Sequence, residues 1–287
     1  MLPLSLNIRG HLLSLESPLV MGIVNVTPDS FFAPSRTTGE AELIARVRQM
    51  LSEGAHIIDI GACSTRPGSQ PVEEAEEMRR LRWALAILGR MPEQPILSID
   101  TFRADIAKMC VEEYGAHIVN DISGGDLDAR MFPTVASLRV PYVLMHTRGT
   151  PADMQQHTHY THLLPDILTH LAQRIDRLQQ LAHTDIIVDP GFGFAKTLEQ
   201  NYQLLAHLHL FRQLGLPILV GLSRKSMATR LLHITPDQAL HATTALHAFA
   251  LATGAVDILR VHDVRPAVQA VRIYQEIKAH SCCSDIG

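Results

Sequence analysis

Short apolar runs rich in Val, Ile and Leu alternate along the chain with longer segments whose apolar positions recur every three or four residues. The first pattern reads as buried strands and the second as helices with one covered face. Eight runs qualify as strands: 19–26, 56–61, 95–100, 117–122, 141–146, 185–190, 217–222 and 257–262. The segments between them predict helices at about 39–53, 72–90, 102–114, 127–138, 160–182, 198–212, 236–253 and 264–279. Continuous apolarity within a strand belongs to parallel sheets, because crossover helices cover both faces. Eight βα units with no reversal of pattern predict a single α/β domain, a (β/α)8 TIM barrel, over residues 1–280. A doubly wound open sheet is the alternative. Ahead of the first strand, "LSLNIRGHLLSL" alternates about Arg9 and Gly10, which predicts a short N-terminal hairpin closing the barrel bottom.

Composition narrows what such a domain does. Its 287 residues are 46% hydrophobic and 19% charged, enough for one large core. A formal net charge of −4, with the basic residues scattered, leaves no broad positive face for nucleic acid and points to small-molecule substrates. The first residues lack a basic flank and a continuous apolar stretch, and no run reaches the length of a membrane span, so a cytoplasmic protein is expected. Cys63, Cys110, Cys282 and Cys283 show no CxxC spacing and read as free thiols. Residues 281–287 read as a frayed tail.

The working face of either fold is the carboxyl end of the strands. There the chain places Asn25, Asp59, Asp100, Asn120 with Asp121, His146, Asp189, Lys225, Arg260 and His262. Asp100, Asn120 and Asp189 together suit the amide and amino edge of a flat heterocycle such as a pterin, with Lys225 facing a ring nitrogen or carbonyl. Arg260, His262 and Asn25, on strands that neighbour each other in a closed barrel, offer an anion site for pyrophosphate with a magnesium ion. "TPDSFFAPSRTTG" and "ACSTRPGSQP" have the composition of closing flaps, and Phe194 could stack on an aromatic substrate. Arg224 is expected to face its loop or an acidic partner.

The segments "MGIVNVTPDSF" (21–31), "STRPG" (64–68), "SID" (98–100), "VNDISGG" (119–125), "MHTRGTPADMQ" (145–155), "DPGFGFAK" (189–196), "GLSRKSM" (221–227) and "LRVHDV" (259–264) resemble, in order, the dihydropteroate synthase family of the bacterial folate pathway. The resemblance implies a transferase that condenses 6-hydroxymethyl-7,8-dihydropterin pyrophosphate with p-aminobenzoate and is a target of sulfonamides. It implies Asp100, Asn120, Asp189 and Lys225 on the pterin, with Met145 against its ring. It puts Asn25, Arg260 and His262 on pyrophosphate, with Asn25 on Mg2+. Thr65, Pro67, Phe194, Lys225 and Ser226 would line the p-aminobenzoate pocket, with Phe31 and Arg66 brought in by the flaps. A homodimer joined through the last helices is implied too.

Two stretches depart from the family. Gly61-Ala62-Cys63 stands where many members read Gly-Gly-Glu, and Phe32-Ala33-Pro34-Ser35 follows Phe31 in place of a loop with a carboxylate. A methyltransferase acting on methyltetrahydrofolate and a corrinoid protein is the nearest rival, but it needs no pyrophosphate site. A non-catalytic pterin binder is the second rival, and the altered first flap is its sole support.

Overall fold

The computed structural model describes residues 4–27, 36–63 and 72–281. Strands β3 (Leu19–Asn25), β4 (Ile57–Gly61), β5 (Ile96–Asp100), β6 (Ile118–Asp121), β7 (Tyr142–Met145), β8 (Ile186–Asp189), β9 (Leu219–Val220) and β10 (Ile258–Val261) form one parallel sheet. Its order is β8-β7-β6-β5-β4-β3-β10-β9. A parallel bridge between Val188 and Ile218, with the Val188 amide donating to the Pro217 carbonyl at 2.8 Å, joins the two edges and closes the barrel. The closing strand is short: the run 217–222 yields a strand of two residues, Leu219–Val220.

The described helices are α1 (Arg36–Ser52), α2 (Glu74–Leu88), α3 (Ala104–Tyr114), α4 (Met131–Leu138), α5 (Leu163–Gln180), α6 (Leu198–Ala206), α7 (Ser226–Leu232), α8 (Leu240–Ala252) and α9 (Val264–Ser281). Eight match predicted helices within a few residues. The expected helix 198–212 breaks after Ala206 and continues as a 3-10 segment, Leu208–Leu214. Helix α7 was not anticipated, because seven residues carry too little periodicity to register. Ser281 is the last residue of α9 rather than the start of a tail, and 282–287 lie outside the described residues.

The hairpin is present as β1 (Ser5–Ile8) and β2 (His11–Ser14). Arg9 at φ 52° and Gly10 at φ 89° form its two-residue turn, where left-handed dihedrals match the strand twist. Leu6 and Ile8 pack on Met21, Ile57, Ile118, Val143, Ile187, Leu219 and Ile258, so the hairpin plugs the barrel bottom. The larger core lies between sheet and helices, as the continuous apolarity of the strands requires.

Candidate active site

Inward positions recur every second residue along a strand, so parallel register stacks them in layers. Met21, Ile57 and Ile96 pair across β3, β4 and β5 in an apolar layer. Two residues further along, Ile23, Asp59, Ser98 and Ile118 pair across β3 to β6. Two further still come Asn25, Gly61, Asp100 and Asn120. Met145 pairs with Asp189 on β7 and β8. The interior thus changes from apolar at the hairpin to polar at the mouth.

Arg260 ties these strands together. Its Nε donates to Asp59 Oδ2 at 2.6 Å and its Nη2 donates to Asp100 Oδ2 at 2.6 Å. Asn120 Nδ2 donates to the same Asp59 oxygen at 3.1 Å. Gly61 leaves room beside them: a methyl group there would lie 3.3 Å from Asn25 Oδ1 and 3.6 Å from Asp100 Oδ2. Burial pushes the Asp100 carboxyl up to about 7 against the pull of Arg260, and Asp59, Glu77 and Asp121 add to the rise. Burial alone would lower the pKa of Arg260, but Asp59 and Asp100 carry it above the ordinary value. The guanidinium therefore stays charged.

The loop after β8 supplies the opposite wall. Asp189 is buried, and its Oδ1 accepts from the Gly191 amide at 2.7 Å. Burial raises its pKa, while Lys225 and the Gly191 amide hold it down. Lys196 lies beneath this loop and donates to the carbonyls of Gly191 at 2.9 Å and Phe194 at 3.0 Å, with His146 Nδ1 at 3.0 Å. Its burial lowers the ammonium pKa to about 7. A capping box, in which Thr197 and Gln200 exchange side-chain bonds to backbone amides, ends the loop and starts α6.

Lys225 precedes α7 and donates to the Phe192 carbonyl, with its Nζ 4.9 Å from the Phe194 ring centroid. Burial pushes its pKa down to about 8, opposed by Asp189. Met145 and Phe194 pack with Ile122, Met154 and Ala195 as an apolar patch at the same mouth, against half-buried Phe102. A flat ring would find charged and amide groups at its edge and apolar side chains on its faces.

Most residues predicted for the pterin and anion sites are therefore brought together: Asn25, Asp100, Asn120, Met145, Asp189, Phe194, Lys225 and Arg260. His262 follows β10, where its Nδ1 and backbone amide lie 3.1 and 3.2 Å from Ser223 Oγ and Arg46 donates to its carbonyl at 2.8 Å. Ser226 is the first residue of α7. Phe31, Thr65, Arg66 and Pro67 lie outside the described residues.

Two strand-end residues do not serve the mouth. Asp121 accepts from Tyr142 Oη and from the Ser123 and Gly125 amides, which shapes the loop after β6. His146 is fully buried against Lys196 and His170, its pKa held well below the usual range chiefly by burial. Asp59 stood in the strand-end set without an assigned role, and Lys196 closes the segment "DPGFGFAK", but only the fold shows what each of them bonds to. Arg224 makes a two-point ion pair with Asp263, at 2.7 and 3.0 Å, and reaches Asp237 at 3.3 Å. That is the acidic partner its position called for.

Residues 21–262 match the family described as pterin binding enzyme. The chain is 37% identical over 273 residues to the dihydropteroate synthase of Escherichia coli (strain K12), covering 93% of this chain and 94% of that one. To that of Synechocystis sp. it is 40% identical over 257 residues, 88% of each. Among solved structures, the Yersinia pestis dihydropteroate synthase in complex with a sulfonamide drug superposes with a TM-score of 0.87 at 38% identity, covering 96% of this chain and all of that one. The Xanthomonas albilineans dihydropteroate synthase with 4-aminobenzoic acid gives 0.86 at 36% identity, with 96% and 99% covered. With similarity of this extent in sequence and in fold, the chain belongs to the dihydropteroate synthase family of pterin-binding enzymes.

Proposed function

We propose that the barrel mouth joins 6-hydroxymethyl-7,8-dihydropterin pyrophosphate to p-aminobenzoate, yielding 7,8-dihydropteroate and pyrophosphate for folate biosynthesis. The supporting observation is the set Asp100, Asn120 and Asp189 buried at the carboxyl ends of the strands, with Arg260 bonded to Asp100 and Lys225 acting on Asp189. The carboxylates and the amide suit the donor edge of the pterin, and Lys225 suits its carbonyl and ring nitrogen. Arg260 and His262, with Asn25 on the neighbouring strand, suit the pyrophosphate.

In the reaction the bond from the pterin methylene carbon to the pyrophosphate oxygen breaks, and its electron pair leaves with pyrophosphate. The arylamine lone pair forms the new carbon–nitrogen bond, and the amine proton passes to solvent. Cleavage running ahead of attack places positive charge on the pterin, which Asp100 and Asp189 stabilise. Arg260 and His262 meet the charge on the leaving group. The amine is neutral near pH 7 and needs no general base.

The residues fit a magnesium ion bound with substrate. Among the described residues no three His, Cys, Asp or Glu side chains form a metal cage. Mg2+ commonly takes few protein ligands and completes its shell from phosphate and water. Asn25, whose amide oxygen lies beside Asp100 across Gly61, would hold it, and the ion would neutralise the departing pyrophosphate.

The same proposal includes a homodimer through α8 and α9. Ile273 and Ile277, 62% and 64% exposed, line a groove of about 510 Å³ between the two helices beside Ala248, Ala252 and Tyr274, and Phe249, 69% exposed, lines a second groove on the α7 side of α8. Large apolar side chains exposed together mark an interaction surface. Phe249→Asp with Ile273→Asp is expected to convert a dimer into a monomer on light-scattering chromatography. An unaltered mass would refute the surface. A cytoplasmic location belongs to the proposal as well, in keeping with the free thiols of Cys63 and Cys110.

The deciding assay follows magnesium-dependent pyrophosphate release with and without p-aminobenzoate, together with mass detection of dihydropteroate. Product only with both substrates supports the synthase. Pterin binding without product overturns it in favour of a binding protein.

A further inference from the structure

Asp59 is fully buried, one layer below the row that holds Asn25, Asp100 and Asn120. It touches two residues of the site at once, Arg260 through Nε at 2.6 Å and Asn120 through Nδ2 at 3.1 Å. An ionised carboxylate only accepts hydrogen bonds. The amide atom of Asn120 that faces Asp59 must therefore be the nitrogen, which leaves the amide oxygen for the cavity. An amide with no such neighbour is free to turn over and present either a donor or an acceptor.

We propose that Asp59 is a positioning residue that fixes the donor and acceptor sense of the ring-edge site, by holding Asn120 with its oxygen toward the ligand and Arg260 alongside Asp100. The consequence is selectivity. With Asn120 offering an acceptor and Asp189 a carboxylate, the cavity takes a heterocycle that carries an exocyclic amino group. It rejects the ring that carries a carbonyl in its place, where two acceptors would face each other. This inference rests on the pterin reading of the site, and it assigns a role to a side chain that need not touch the ligand.

The orientation has a cost that supports a functional reading. Asp59 Oδ1 is buried with no partner among the described residues, as is Ser98 Oγ at the paired position on β5. An apolar residue at position 59 would avoid both the buried charge and the unsatisfied oxygen. Besides pairing the buried guanidinium of Arg260, the carboxylate adds direction to two neighbours.

The test measures dissociation constants of pterin and of lumazine, its 2,4-dioxo analogue, by calorimetry for three proteins. The wild type is expected to prefer pterin. Asp59→Leu is expected to shrink that preference roughly tenfold, because no acceptor then holds the amide nitrogen of Asn120. Asp59→Asn is expected to stay within about threefold of wild type, because Arg260 Nε holds the new amide oxygen where it also accepts from Asn120.

Equal weakening of both ligands in Asp59→Leu, or an unchanged ratio, overturns the inference and reduces Asp59 to a packing role. A ratio lost in Asp59→Asn does the same. Should neither variant fold, a wild-type complex with pterin decides: Asn120 still bonded to Asp59 supports the proposal, and an amide turned away overturns it. A wild type that binds neither ring would instead sink the pterin reading itself.

Discussion

Gly191 and Gly215 both adopt left-handed backbone, at φ 75° and 68°, but their surroundings differ completely. A methyl group on Gly215 would meet nothing within 4 Å. One on Gly191 would overlap the carbonyl oxygen of His146, with the carbonyl carbon 3.0 Å away and Lys196 Nζ 3.2 Å away. Gly215→Ala therefore carries only the left-handed strain, about 1 kcal/mol. Gly191→Ala adds a clash with backbone that cannot rotate away, about 1–3 kcal/mol more from overpacking.

The loop has little freedom to absorb that clash. The His146 amide donates to the Asp189 carbonyl at 2.9 Å, Asp189 Oδ1 accepts from Gly191, and Lys196 holds the Gly191 carbonyl. Any shift of Gly191 drags Asp189 out of place. Gly191→Ala should thus lower the melting temperature beyond Gly215→Ala by about 6 °C, taking about 2–4 °C per kcal/mol for a chain of this size. Calorimetry should also show its pterin affinity reduced roughly tenfold, with that of Gly215→Ala unchanged. Equal melting temperatures for the two variants would refute the packing argument. A destabilised Gly191→Ala with full pterin affinity would refute the link from loop to site.

The remaining expectations concern charge. Lys225 must be cationic to donate to the ring, and its pKa is lowered to about 8, so kcat/KM should fall as pH rises through that value. Asp100, raised to about 7, must be ionised, so kcat/KM should also fall as pH drops below about 7; a profile flat from pH 6 to 9 would contradict both assignments. Asp189→Asn and Lys225→Met should each weaken pterin binding by at least about tenfold, and unchanged titration heats and affinity for Asp189→Asn would remove that residue from the site. Cys63 has its thiol pushed up to about 12 by burial and by the neighbouring Glu77. It is no thiolate at neutral pH, so Cys63→Ser should keep most activity, and complete inactivation would show a role that the thiol pKa does not reveal.

The eight strands were legible because a strand covered on both faces leaves a continuous apolar run, and the polar residue closing each run marked the mouth. Asn25, Asp100, Asn120 and Asp189 were found that way. Asp121 and His146 carried the same signal and were misread, since position at a strand end does not say whether a side chain turns into the barrel. Inward and outward positions differ by one residue, and only the register of β6 and β7 with their neighbours settled it.

What the sequence determined by itself, then, was the order of elements, the plugging hairpin and the inventory of groups at the strand ends, because these follow from local periodicity and turn chemistry. What the tertiary structure alone decided was pairing. Asp59 meets Arg260 across 201 positions of sequence and Asp100 meets it across 160. Barrel closure makes such neighbours, and no local pattern records them.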